Sequence, residues 1–126
     1  MYLIDTNILL FSLDCTEKLS SKVKHILQTE ETIFISMASF WEIEIKRNLG
    51  KLKIPFTPKE LMDYCIEQDY SVLNINIEHI SQLKELPKIH NDPFDRLIIC
   101  QAISENLTLL TADSIISQYP VATVWK

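Results

Sequence analysis

Tyr2-Leu3-Ile4-Asp5-Thr6-Asn7-Ile8-Leu9-Leu10-Phe11-Ser12-Leu13 is the stretch on which the reading of this chain turns. Tyr2-Leu3-Ile4 is too short an apolar run for a helix and reads as a buried strand, and a helix follows from about Asn7 to Leu13. Asp5 stands at the joint between them. The same arrangement returns near the other end, where Thr108-Leu109-Leu110 reads as a strand and Thr111-Ala112-Asp113 leads out of it. Between these two joints, residues 18–29 form a helix with Leu19, Val23, Ile26 and Leu27 on one side, and Thr32-Ile33-Phe34-Ile35 is a strand. Ser36 and Ser39 offer caps to a helix running to about Leu49, which Gly50 stops in the left-handed region. A helix from about Pro58 to Glu67, a strand at Ser71-Val72-Leu73 and a short helix over residues 76–86 follow. Asp92-Pro93 starts a strong helix to about residue 105, and Ala122-Thr123-Val124-Trp125 is the last strand. Strands alternating with helices predict one α/β domain over residues 1–126, a parallel sheet covered on both faces by right-handed crossovers. In such sheets the functional crevice lies beyond the carboxyl ends of the strands, where Asp5 and Asp113 both fall.

Helical phase brings two more acids into question. Winding residues 38–52 at about 100° per residue puts Ala38, Trp41, Ile45, Leu49 and Leu52 on one stripe, with Glu42 at its border and Glu44 on the polar side beside Arg47 and Lys51. Trp41, Phe94 and Trp125 accordingly read as core residues. Asp95 shares its face with Ile98, Ile99, Ala102 and Ile103. An ionised carboxylate facing a core is costly unless it is paired or holds a metal. Each acid also has a plain structural role open to it: Asp5 and Asp113 as caps, Asp92 as the N-cap that leaves Asp95 in the first helical turn, and Glu42 as the i+4 partner of Lys46.

If Asp5, Glu42, Asp95 and Asp113 converge, they need compensation. Carboxylates about 4 Å apart repel by roughly 1 to 4 kcal/mol per pair at effective dielectrics between about 80 and 20. A cluster of that kind raises its own pKa values or recruits a cation. All-oxygen ligands favour Mg²⁺ or Mn²⁺ over zinc. Such an ion activates water and stabilises charge on a phosphoryl oxygen, so the chemistry implied is phosphodiester hydrolysis.

Bulk composition narrows the field. A chain of 126 residues that is 47% hydrophobic can bury one core, and it holds no apolar run near the roughly 18 residues of a membrane span. With Gly50 its single glycine, neither a dinucleotide fingerprint nor a P-loop can be present. Asp5 without a basic leader argues against a secretory signal. Cys15, Cys65 and Cys100 lack metal-ligand spacing and read as reduced core thiols of a cytoplasmic protein. The net charge of −5 opposes nucleic-acid binding, but two divalent ions would bring it to −5 + 4 = −1. A local basic run, Lys46, Arg47, Lys51 and Lys53, has no acid among residues 45–56.

Leu-Ile-Asp-Thr-Asn at 3–7, Ser-x-x-Ser-Phe-Trp-Glu-Ile at 36–43, His-x-Asp-Pro-Phe-Asp-Arg at 90–96 and Leu-Thr-Ala-Asp at 110–113 together resemble the PIN-domain nucleases, and within them the VapC-type toxins of toxin–antitoxin pairs. The likeness covers essentially the whole chain. It implies a Rossmann-like three-layer fold with a five-stranded parallel sheet, and a Mg²⁺- or Mn²⁺-dependent endoribonuclease. It also implies a homodimer and a cognate antitoxin protein that blocks the site. Carried over by motif, Asp5, Glu42, Asp95 and Asp113 are the catalytic and metal-binding acids, with Asn7 and Thr111 supporting them. Lys46 and Arg96 are the candidates for phosphate contacts, and His90 reads as a loop or capping histidine.

Two other readings compete. A phosphatase of the haloacid dehalogenase type also opens with an Asp at a strand tip, but needs a second Asp where Asn7 stands. A non-catalytic RNA- or protein-binding module on the same fold would keep the architecture and lose the metal dependence.

Overall fold

The computed structural model describes residues 1–30 and 32–126. Its centre is β1 (Tyr2–Ile4), whose Leu3 and Ile4 are both fully buried. They alternate in direction, as strand residues must. Ile4 enters one core with Ile8, Leu9, Val23, Ile35, Ile43 and Leu110, whereas Leu3 enters the other with Ile98, Ile99, Ala102, Leu109 and Ile116. Two cores on opposite faces of one sheet make the three-layer α/β architecture.

Five strands complete the sheet: β2 (Ile33–Ser36), β3 (Tyr70–Leu73), β4 (Thr108–Leu110) and β5 (Thr123–Val124) join β1 in the order β3-β2-β1-β4-β5. Every pairing is parallel, with Ile4 in register with Ile35 on one side and Leu110 on the other. The chain moves outward from β1 to β3, returns, and continues outward through β4 and β5. The reversal falls between β1 and β4, which opens a crevice at their carboxyl ends.

Among the described residues six α-helices flank the sheet: α1 (Thr6–Asp14), α2 (Ser21–Thr29), α3 (Met37–Asn48), α4 (Pro58–Glu67), α5 (Ile77–Gln82) and α6 (Pro93–Ser104). Their ends follow local chemistry. Asp5 accepts the Ile8 N–H, and Asp92 accepts those of Phe94 and Asp95 with Pro93 in the first turn. Thr57 and Glu60 form a reciprocal capping box on α4. Gly50, at φ +73°, supplies the left-handed residue after α3. Among the described residues no helix is long and apolar enough to cross a membrane.

Several expectations are corrected. The helix expected over 18–29 begins at Ser21, because Ser20 caps it by accepting the Val23 N–H, and Thr16–Lys18 form a separate 3₁₀ turn. Ser39 is no cap; it lies inside α3, fully buried. The stripe expected to face inward on that helix is also rotated. Trp41 and Leu49 are 59% and 63% exposed, while Ala38, Ser39, Phe40, Glu42 and Ile43 are buried. Apolar periodicity misled because the inward face carries polar groups that other elements satisfy. Phe94 and Trp125 do pack against the two cores, half-buried. Cys65 and Cys100 are buried, and burial pushes each thiol up to about 11, but Cys15 lies outside both cores.

Since Ile4 has neighbours on both sides and no exposure, Ile4→Ala should destabilise the fold by about 2 to 5 kcal/mol. Urea unfolding followed by circular dichroism measures this, and a loss below about 1 kcal/mol would mean the sheet centre is not where the stability lies.

Candidate active site at the tips of the central strands

Asp5 leaves β1 and Thr111 leaves β4 side by side, since the Asp5 N–H donates to the Leu110 carbonyl at 3.2 Å. The Asp5 carboxylate is 4% exposed and accepts the Ile8 N–H at 2.8 Å. Burial pushes its pKa from 3.8 to about 6; the Thr111 hydroxyl and the Ile8 N–H lower it, and the charges of Asp95 and Asp113 raise it further. The Thr111 hydroxyl also accepts the Asp113 N–H at 3.1 Å, and Asp113 Oδ1 accepts the Ile115 N–H at 2.8 Å. The capping roles open to both strand-tip acids are therefore filled, with each carboxylate still within the other's field.

The two helical acids approach from the flanking layers. Glu42 is buried on α3, where the Thr6 hydroxyl donates to Oε1 at 2.7 Å and the Lys46 ammonium to Oε2 at 2.8 Å. Ser39 Oγ lies 2.9 Å from the same Thr6 oxygen. Asp95 stands in the first turn of α6, with His90 Nε2 3.2 Å from Oδ2. Burial pushes Asp95 to about 6; His90 lowers it, while Asp92 and Glu42 raise it. Lys46 is raised chiefly by its bond to Glu42, and also feels Asp92 and Asp95. Asp5, Asp95 and Asp113 thus share one field, and Glu42 joins it through Asp95.

The remaining candidates are placed unequally. Thr111 hydrogen-bonds Asp5, whereas Asn7 is exposed and, among the described residues, bonds to none of the acids. Arg96 turns to the loop before α6, donating to the Pro87 carbonyl at 2.9 Å and the Tyr119 hydroxyl at 3.2 Å. Thr6, Ser39 and Tyr119 join the hydrogen bonds around the acids, which local sequence did not reveal, whereas the nearness of His90 to Asp95 was already visible in the motif at 90–96. For Thr6 the one available signal was its position between Asp5 and Asn7 in a polar triplet opening an apolar helix.

The donor set suits a hard divalent cation. All four acids offer oxygen, and among the described residues neither Asp5 nor Asp113 has a salt-bridge partner. Among the described residues no group of three or more His, Cys, Asp or Glu side chains stands close enough together to hold a metal ion by itself. Mg²⁺ commonly keeps several waters and is held by one or two carboxylates together with substrate phosphates. Asp5, Asp95 and Asp113, with Glu42 behind them, would hold it. Three cavities of about 310, 280 and 540 Å³ open elsewhere on the surface, and the four acids line none of them.

The raised pKa values of Asp5 and Asp95 make a signed prediction. Both groups bind protons more tightly folded than unfolded, so their contribution is fully present below about 3.8 and is lost as pH climbs through about 6. In EDTA, wild-type stability relative to Asp5→Asn should therefore fall between pH 4 and pH 7, on the order of the folded and unfolded pKa values. Denaturation curves of both proteins across that range check it, and parallel pH profiles would refute the shared burial of charge.

The sequence profile of the PIN domain matches residues 2–122, a span that holds four of the five strands, all six helices and all four acids. No curated protein matches the chain significantly. Among solved structures, the fold resembles VapBC2 from Rickettsia felis bound to a DNA fragment from their promoter, with a TM-score of 0.75, 20% identity, and coverage of 99% of this chain and 98% of that one. DNA-bound VapBC from Salmonella typhimurium follows at 0.72, with 16% identity over 98% of this chain and 96% of that one. FitAcB from Neisseria gonorrhoeae gives 0.65 and 19% identity over the same shares of the two chains. At such identities these likenesses speak for the fold alone. The profile match carries the assignment, and by it this chain belongs to the PIN domain family.

Proposed function

We propose that this chain is a Mg²⁺- or Mn²⁺-dependent endoribonuclease and the toxin half of a toxin–antitoxin pair. Membership of the PIN family implies hydrolysis of a nucleic-acid backbone. The observation that supports the metal-dependent reading best is the buried Asp5 carboxylate, lifted to about 6 by burial and by the charges of Asp95 and Asp113. Such a site gains by taking up a cation.

In this reading Asp5, Glu42, Asp95 and Asp113 are the metal-binding and catalytic acids. The hydroxyls of Thr6 and Thr111 hold Glu42 and Asp5 in place. Lys46, already beside Glu42, is the nearest cation for a phosphate. A bound divalent ion supplies Lewis-acid polarisation of the phosphoryl group and activation of a water. Hydrolysis then adds that water across one P–O bond of the RNA strand.

The structural neighbours from Rickettsia felis and Salmonella typhimurium are VapBC assemblies, and a further one from Klebsiella pneumoniae is a toxin–antitoxin complex. They support a cognate antitoxin protein as partner here. Exposed apolar side chains such as Leu49, Ile66, Ile77 and Ile80 are surface that an antitoxin or a second copy in a homodimer would cover.

Purified protein incubated with mixed RNA should cleave it with Mg²⁺ or Mn²⁺, and not with EDTA; Asp5→Asn and Asp95→Asn should abolish cleavage. Cleavage without metal, or full activity in both variants, overturns the mechanism. RNA binding without cleavage in the wild type would favour the non-catalytic module instead.

Metal should also stabilise the fold, by about 1.4 kcal/mol at ten times its Kd, because the unfolded chain lacks the site. Glu42→Gln should blunt the resulting rise in Tm, and no rise at millimolar Mn²⁺ would count against a preformed acidic site.

A further inference from the structure

Behind Asp95 lies a set of hydrogen bonds that the proposed chemistry does not by itself require. Tyr119 is 3% exposed, in the core beside Ile98 and Ile116. Its hydroxyl receives three groups that can only donate: the backbone N–H of Ile89 at 3.2 Å, that of His90 at 3.0 Å, and Arg96 Nη1 at 3.2 Å. His90 Nδ1 lies 2.7 Å from the same oxygen, and His90 Nε2 lies 3.2 Å from Asp95 Oδ2.

Counting protons fixes the direction of these contacts. A phenol oxygen offers two lone pairs and one proton. The three donors take up the lone pairs, and among the described partners His90 Nδ1 alone can accept the proton. A neutral imidazole then carries its own proton on Nε2, facing Asp95. A charged imidazolium carries one there as well. The excluded arrangement is a neutral imidazole with a bare Nε2, which forces a fourth donor on Tyr119 and also sets a lone pair against the carboxylate. The imidazolium shares the first drawback but bonds Oδ2 through its Nε2–H. In either protonation state, Asp95 Oδ2 is therefore held by an N–H. Among the described residues Oδ1 has no hydrogen-bond partner.

We propose that Tyr119, acting through His90, is a positioning residue for the Asp95 carboxylate: it locks the imidazole so that Nε2–H holds Oδ2 and Oδ1 is left for a divalent cation. The inference rests on the metal-dependent reading above. Its physical basis is that a ligating carboxylate fixed by an outer hydrogen bond need not be ordered when the ion binds. Tyr119 is suited to the task because its ring is anchored in the core while its oxygen reaches the loop before α6. The competing role is a simple clamp, in which Tyr119 pins Ile89 and His90 by their backbone N–H groups and leaves Asp95 unaffected.

Mn²⁺ titration of the intact protein by isothermal calorimetry separates the two, since it reads the site without turnover. Tyr119→Phe and His90→Ala should each weaken Mn²⁺ binding by about 10- to 100-fold. The double variant should bind no more weakly than His90→Ala, because both changes break one relay. His90→Gln, which keeps an N–H donor near the place of Nε2, should bind close to wild type. A Tyr119→Phe protein that melts lower yet binds Mn²⁺ like wild type identifies a clamp and overturns the inference, as do additive losses in the double variant. Should Tyr119→Phe fail to fold, the His90 pair decides: equal binding by wild type and His90→Ala is equally fatal. Failure of the nuclease reading has a different signature, a wild type that takes up no Mn²⁺ at all, and the positioning role falls with it.

Discussion

The parallel pairing of β1 with β4 is the constraint on which the rest depends. Ile4 in register with Leu110 lets the Asp5 N–H close on the Leu110 carbonyl, so both strands end at the same height. Residues more than a hundred positions apart then leave the sheet as neighbours. Because β1 also pairs with β2, α3 must start beside the same crevice, with Ser36 as both the last strand residue and the helix cap. The Ser36 hydroxyl donates to Gln101 on α6, which ties the two flanking layers together beneath the acids. A one-residue slip of β4 against β1 would send Leu109 and Leu110 to the wrong cores and part Thr111 from Asp5.

Placing negative charge in such a crevice is opposed by the protein's own environment. Asp95 sits in the first turn of α6, where the helix dipole favours an anion by about 0.3 to 1 kcal/mol. Its pKa nevertheless rises from 3.8 to about 6, a change corresponding to roughly 3 kcal/mol against the charged form. Burial and the neighbouring Asp92 and Glu42 outweigh the dipole several times over. The fold tolerates this through partial remedies, each specific to one acid: the Ile8 N–H and Thr111 for Asp5, Thr6 and Lys46 for Glu42, His90 for Asp95. None neutralises the group as a whole.

Much of the fold could be read from the sequence because its signals are local. Short β-branched runs, an acid at a strand tip, the Asp92-Pro93 start and the Gly50 stop each involve a few adjacent residues and pure backbone chemistry. Helix orientation was less legible. Hydrophobic phase turned Trp41 inward, yet the structure leaves it exposed, its ring meeting Phe94 edge-on at a centroid distance of 5.1 Å. The inward face of α3 instead carries Ser39 and Glu42, which became affordable only when Thr6 arrived from α1. Likewise His90 reads as an ordinary loop histidine until Tyr119, twenty-nine residues on, is brought against it. Such partners are set by topology, and no periodicity of one segment encodes them.

The four acids differ in how firmly the fold holds them, and that difference follows from where each is rooted. Asp5 and Asp113 are bound to backbone N–H groups within their own turns, so their orientation is settled as soon as the strands end. Glu42 and Asp95 project from helices on flexible bonds and rely on side chains from elsewhere, Thr6 and Lys46 in one case and His90 in the other. In the proposed metal-dependent reading, the two carboxylates held by backbone N–H groups would set the position of a cation, and the two held by side chains would complete its surroundings. Local backbone bonds thus fix half of the group before any partner reaches it.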